Sequence, residues 1–162
     1  MERSFILVSG APGSGKTTLA RKLAEAIGFE MISKDAIKEA LFDVLGPLED
    51  DPRTRKLSRA AMAVLWAVAP NCPNVILEAN FKPAGTPDRE EFEQLQGRKL
   101  EIHCVCAPEI CLERFSQRAG RAGHHPVHPV WLPLESFASY GPLAVSPVIE
   151  VNTETPVAIR EV

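Results

Sequence analysis

The chain lacks any apolar run of bilayer length: the longest, Ala60 to Ala69, is about half of what a spanning helix needs. No charged leader with an apolar stretch and cleavage site opens it either, so a cytoplasmic protein is expected. Cysteine is scarce, and Cys72, Cys104, Cys106 and Cys111 are expected as reduced core thiols, not as a disulfide framework. Neither sign of charge dominates. Against 21 Asp and Glu stand 18 Lys and Arg, a net −3 that does not draw in polyanions, so nucleic acid is not an expected partner without a local basic patch. Repeats and low-complexity segments are missing as well. What is present is ordinary globular usage, 45% hydrophobic and 24% charged over 162 residues, enough for one domain spanning residues 1–162.

The order of the elements is readable from apolar spacing. Phe5-Ile6-Leu7-Val8 is a short continuous apolar run, as in a strand buried on both faces, and it breaks into Gly-rich sequence near Ser9. From Lys16, Leu19, Leu23 and Ile27 recur at helical spacing up to a C-capping Gly28. Glu30-Met31-Ile32 predicts a second strand. Ser33 then caps a helix carrying Ile37, Ala40, Leu41, Val44 and Leu45 on one face, stopped by Gly46-Pro47. Asp51-Pro52 predicts a helix start, continuing through about Ala69 with Arg53, Arg55, Lys56 and Arg59 in its first half. Asn74 to Leu77 predicts a third strand, Thr86 to Gln96 a polar helix, Leu100 to Cys106 a fourth strand with Leu100, Ile102, Cys104 and Cys106 on its apolar face, and Pro108 to about Arg118 a helix. Gly120 to Pro133, rich in Gly, His and Pro, reads as a mobile loop, and Val148 to Val151 as a fifth strand. Such alternation implies an α/β fold, a parallel sheet with helices on both faces and ligands at the C-terminal ends of the strands.

Between the first strand and the first helix, Gly10-Ala11-Pro12-Gly13-Ser14-Gly15-Lys16-Thr17 matches the phosphate-binding loop G-x-x-x-x-G-K-[ST] in the context that motif requires. Its glycines let backbone N–H groups converge on phosphate oxygens and the helix start adds positive potential. Lys16 would reach the β- and γ-phosphates, and the Thr17 hydroxyl would bind Mg²⁺. Nucleoside triphosphate binding follows; the reaction does not, because the same loop serves kinases, switches and motors.

Other residues bear on that choice. Asp35, in the first turn of the helix after the second strand, suits a carboxylate that orients or deprotonates an acceptor hydroxyl, although an Asp there also simply complements the helix dipole. Lys38, one turn on, would help hold a polar or anionic acceptor. Val75-Ile76-Leu77-Glu78 is a hydrophobic run ending in an acid, which would support the metal through water, touch the acceptor, or lie in solvent; Asn80 is a weaker acceptor-side candidate. Arg114, Arg118 and Arg121 would share one face of a continuing helix and suit a lid, about residues 114–130, that neutralises charge during phosphoryl transfer; an ordinary solvated basic face is the alternative. Arg53, Arg55, Lys56 and Arg59 read first as a solvated face, second as a binder of acceptor phosphate or nucleic-acid backbone. A zinc site from His124, His125 and His128 with the nearby cysteines is set aside, since Cys104 and Cys106 share an apolar strand face where cysteine packs as a small hydrophobe.

With these residues in view, the chain resembles the small P-loop kinases related to adenylate kinase, in the branch that includes chloramphenicol phosphotransferase, zeta-toxin and polynucleotide 5′-kinase domains. Gly10 to Thr18 corresponds to the nucleotide loop of that group. Ile32 to Lys38 resembles its segment carrying the acceptor-side Asp, Glu78-Ala79-Asn80-Phe81 its Asp-Gly-Asn-Phe-like turn, Arg114 through His128 its lid, and Val151-Asn152-Thr153 its fifth strand end. The resemblance implies the three-layer P-loop NTPase fold, a five-stranded parallel sheet in the order 2-3-1-4-5 with a lid loop, and transfer of the ATP γ-phosphate to a hydroxyl. Three departures stand out: Lys38 where polynucleotide kinases have Arg, Glu78 for Asp, and little helix after the fifth strand, which implies a trimmed base pocket or a homodimer that completes it. The expectation is an ATP- and Mg²⁺-dependent kinase for a small-molecule hydroxyl acceptor, with a polynucleotide 5′-hydroxyl kinase as alternative. A nucleotide-dependent switch with slow hydrolysis is the competing class; the chain has no Asn-Lys-x-Asp guanine signature.

Overall fold

The computed structural model describes residues 3–47, 54–84 and 86–162. Five parallel strands, β1 (Ser4–Gly10), β2 (Glu30–Ser33), β3 (Asn74–Glu78), β4 (Arg98–Val105) and β5 (Val148–Asn152), form one sheet in the order β2-β3-β1-β4-β5. Helices α1 (Lys16–Ile27), α2 (Lys34–Leu45), α3 (Arg55–Val68), α4 (Asp88–Gln94) and α5 (Pro108–Ala119) connect them. None of the described helices is long and apolar enough to cross a membrane.

The continuous apolar runs behave as strands buried on both faces must. Phe5 and Leu7 of β1 pack with Val75 and Leu77 of β3 against Leu65 and Trp66 of α3 and Phe92 of α4. Val8 and Ile76 point the other way, onto Leu19, Ala20 and Leu23 of α1 and Ile102, Cys104 and Val151. A smaller cluster joins Cys111 and Phe115 of α5 to Phe137. All four cysteines are free, and burial pushes the Cys104 and Cys111 thiols up to about 12, so they are inert core groups at neutral pH.

Several boundaries differ from expectation. The helix start expected at Asp51-Pro52, and Arg53 with it, lies outside the described residues; α3 begins at Arg55 after Thr54 at a left-handed φ of 53°. The α4 helix is trimmed to Asp88–Gln94, and Cys106 falls beyond β4. The alternation expected in β4 is not an in-out pattern: Glu101 and His103 are as buried as Ile102 and Cys104. Ser9 explains this, because its Oγ donates to Glu101 Oε1 at 3.1 Å and meets His103 Nδ1 at 2.8 Å. Glu101 also accepts the backbone N–H groups of Leu143 at 2.8 Å and Ala144 at 3.0 Å, tying the chain before β5 to the sheet.

Candidate active site

A parallel sheet brings all its strand C-termini to one edge, and the register sets what meets there. Glu78 pairs with Val8 on one side and with Ser33 on the other, so the loop after β1, the start of α2 and the end of β3 converge. That loop is the Gly10–Thr17 segment. A Cβ on Gly13 would lie 2.2 Å from the Cys111 carbonyl oxygen, and one on Gly10 2.6 Å from Ser14 Oγ, with φ at +78° and +146°; neither position has room or backbone freedom for a side chain. Gly15, at φ +85°, precedes Lys16, the first residue of α1.

Lys16 is buried and its ammonium donates to the Ala11 carbonyl at 3.3 Å. Ser14 Oγ is buried with no hydrogen-bond partner. Thr17 Oγ1 donates to Glu78 Oε1 at 2.9 Å, and Ser33 Oγ to Glu78 Oε2 at 2.7 Å. Glu78 is therefore not a carboxylate in solvent; it is buried and shared between the nucleotide loop and the start of α2. Ser33 stands at the N-cap position of α2, but its hydroxyl caps no helix N–H, having gone to Glu78.

Asp35 occupies the first turn of α2. Burial pushes its pKa up, but the Lys34 ammonium, bonded to Oδ1 at 2.8 Å, together with the charges of Lys16 and His128, outweighs that and holds it down at about 2. The carboxylate is thus ionised at any physiological pH and feels the phosphate-side lysine. Lys38 points elsewhere than expected: it is buried and donates to the Val127 carbonyl at 3.1 Å.

That bond belongs to a second correction. The segment expected to be a mobile loop is fastened to α2. Val127 is buried and its carbonyl also accepts Thr54 Oγ1 at 3.1 Å; His128 Nε2 meets Glu39 Oε1 at 2.7 Å and His125 Nε2 meets Asp43 Oδ1 at 3.1 Å, with His125 edge-on to Phe42. The arginines divide. Helix α5 ends at Ala119, so Arg121 lies beyond it, exposed, and the expected three-arginine face holds two. Arg118 lies over the Phe115 ring. Arg114 donates to the carbonyls of Thr153 at 2.9 Å and Glu154 at 2.7 Å and lines a cleft of about 380 Å³ with Gly15, Thr18, Lys22 and Pro156, directly behind the phosphate cradle.

Beyond Lys34 lies a larger cleft, about 1040 Å³, whose walls include Lys34, Asn80, Trp66, Lys82 and Tyr140. Asn80 Oδ1 is buried without a partner. Sequence reasoning missed Tyr140, Trp66 and Lys82, which no local pattern marks; Lys34, the neighbour of Asp35, was the one that adjacency could have flagged. Among the described residues no group of three His, Cys, Asp or Glu side chains is placed to hold a metal ion.

Fold and cradle together define a P-loop protein, of the kind found in small kinases of the adenylate-kinase-like group. Residues 5–131 match the AAA domain model AAA_33, and the chain belongs to that family. A candidate kinase from Chloroflexus aurantiacus is similar over 99% of this chain and 95% of its own, at 27% identity and a TM-score of 0.86. A gluconokinase from Sinorhizobium meliloti (18% identity, TM-score 0.62, 99% of this chain and 86% of its own) and a shikimate kinase from Acinetobacter baumannii (21%, 0.57, 99% and 88%) share the fold. Uncharacterized proteins of Mycobacterium tuberculosis (Rv2004c) and Mycobacterium bovis (Mb2027c) are 28% identical over 127 residues, which is 70% of this chain and 25% of theirs. The chain spans about a quarter of the length of these curated relatives.

Proposed function

We propose that the chain is a kinase that transfers the γ-phosphate of ATP to a hydroxyl of a small molecule. One observation carries this reading: an ionised carboxylate, Asp35, stands close enough to the phosphate-loop Lys16 to feel its charge and is bonded to Lys34, which lines a separate cleft. A switch protein has no use for an acceptor-side acid beside a second cleft. The kinases among the structural relatives, a gluconokinase and a shikimate kinase included, point the same way.

The residues fit a nucleotide. Backbone N–H groups of the cradle, in which a Cβ on Gly10 or Gly13 would clash, would hold the phosphates, and the unpartnered Ser14 hydroxyl adds a polar group. Lys16 would leave the Ala11 carbonyl for phosphate oxygens. Thr17 Oγ1 and, behind it, Glu78 are the oxygen donors suited to Mg²⁺, which when bound neutralises charge on the triphosphate. Thr18, Lys22 and Arg114 border the cleft where the rest of the nucleotide would lie. With its pKa near 2, Asp35 is a weak base. It orients the acceptor hydroxyl and takes its proton late, as a loose phosphoryl transfer allows.

The test is Asp35→Asn with Lys16→Ala as the blank, assayed for γ-phosphate transfer into a mixed pool of sugars, nucleosides, antibiotics and 5′-hydroxyl oligonucleotides. Asp35→Asn should keep ATP affinity within a few-fold while transfer falls by about 10²-fold or more. Loss of ATP binding with transfer per bound ATP unchanged would make Asp35 a structural residue and remove the argument.

A further inference from the structure

The basic residues of α3, expected as a solvated face, are one wall of the acceptor cleft. Arg55, Lys56 and Arg59 face Lys34 from the start of α2 and Lys82 from beyond β3, so five cationic side chains line the cleft against two acids, Asp88 and Glu91. One of those acids is already engaged: Asp88 is buried and accepts from Trp66 Nε1 at 3.2 Å, the Lys82 backbone N–H at 3.1 Å and Thr86 Oγ1 at 3.0 Å. Lys34 is paired with Asp35. Arg55 and Arg59 make no ion pair among the described residues, and an i, i+4 spacing puts them on one face of α3.

We propose that the cleft binds a small hydroxylated molecule carrying a carboxylate or a phosphate, the anion seated on Arg55 and Arg59 and the hydroxyl reaching past Lys34 to Asp35. The hydroxyl half rests on the kinase reading; the anion half does not. From Arg55 to Trp66 the α3 stripe runs about 16 Å, passing from guanidinium groups to Met62 and the Trp66 ring, with Tyr140 across the cleft. The cationic groups gather around one cleft on a chain of net charge −3, so they suit a compact anion better than a polynucleotide backbone, which needs a basic track extended along a face.

The experiment measures binding and transfer separately on matched probes: six-carbon aldonates and hexose phosphates, each beside the neutral alditol or sugar of the same skeleton, and a 5′-hydroxyl oligonucleotide. Binding is read by ligand-observed NMR without nucleotide, on the wild type and on Arg55→Gln/Arg59→Gln, whose exposed positions leave the core untouched. The expected result is that anionic members bind at least about tenfold better than their neutral mates and lose that advantage in the variant. Whichever of the aldonates and hexose phosphates binds distinguishes carboxylate from phosphate. Equal binding of charged and neutral mates, no binding by any anion, or an advantage kept in the variant overturns the proposal, as does preference for the oligonucleotide. Transfer from ATP to neutral members only would overturn it while leaving the kinase reading intact. Arginine-dependent anion binding with no transfer to any bound member would do the reverse, upholding the anion site and failing the kinase reading.

Discussion

Replacing Glu101 by Gln puts the anchoring of the segment before β5 to the test. The carboxylate is fully buried and holds three donors: Ser9 Oγ and the consecutive N–H groups of Leu143 and Ala144, the latter at a left-handed φ of 56° that alanine adopts at a cost. An amide keeps one accepting oxygen but turns an N–H₂ toward a backbone N–H. The Ser9 hydroxyl still has His103, whose imidazole burial holds neutral, so the loss falls on one of the two backbone donors. A charge-assisted bond lost and a buried N–H left unmet cost about 3–4 kcal/mol, and no longer burying a charge returns part of it, leaving about 2–3 kcal/mol. For a domain of this size that lowers Tm by about 4–12 °C. The consequence reaches the cleft, because residues 141–146 follow Tyr140 directly and are clamped a second time by Arg89 Nη1 on the Leu143 carbonyl at 2.7 Å. Scanning calorimetry reads the first effect; acceptor KM against ATP affinity reads the second, with KM rising several-fold and ATP affinity unmoved. A Tm within about 1 °C of the wild type would show that the buried carboxylate carries no such load and refute the reasoning.

Gly13→Ala should abolish nucleotide binding and lower stability by about 2–4 kcal/mol, since its Cβ would lie 2.2 Å from the Cys111 carbonyl oxygen at a φ of +78°; ATP titration and a melt check it, and an unchanged ATP affinity would contradict the cradle geometry. Acidification should release residues 120–131 from α2. Burial lowers the His128 pKa from 6.5 more than the Glu39 hydrogen bond and the charges of Glu39 and Asp35 raise it, with Lys38 adding to the lowering. The undocked imidazole therefore binds protons first. Docking is fully favoured above pH 6.5 and weakens as pH falls from there toward the lowered pKa, the reverse of what a simple His–Glu ion pair predicts. Hydrogen exchange of this segment at two pH values on either side of 6.5, with His128→Gln as the control that flattens the response, decides it; stronger protection at the acidic value would sink the idea.

What could be read from the chain alone was whatever is local. Apolar runs and helical spacing are nearest-neighbour properties, so strand and helix order, the nucleotide loop and the place of Asp35 at the start of α2 are all legible in the chain. Ser33 marks the limit: its position at a helix start is local, but the direction of its hydroxyl is decided by Glu78, 45 residues away. Periodicity marks the apolar face of β4 but not the burial of Glu101 and His103, because it cannot know that Ser9 waits opposite. The histidine-rich segment looked loose for the same reason, its acidic partners sitting on a helix more than 80 residues earlier. The basic run of α3 is the most instructive. Its charges were plain in the sequence, and a helix face bearing them is by default solvated; Lys34 and Lys82, delivered by two strand ends of a parallel sheet, turn that face into the wall of a cleft. Which groups a basic helix face meets is a property of the strand order, not of the helix that carries the charge.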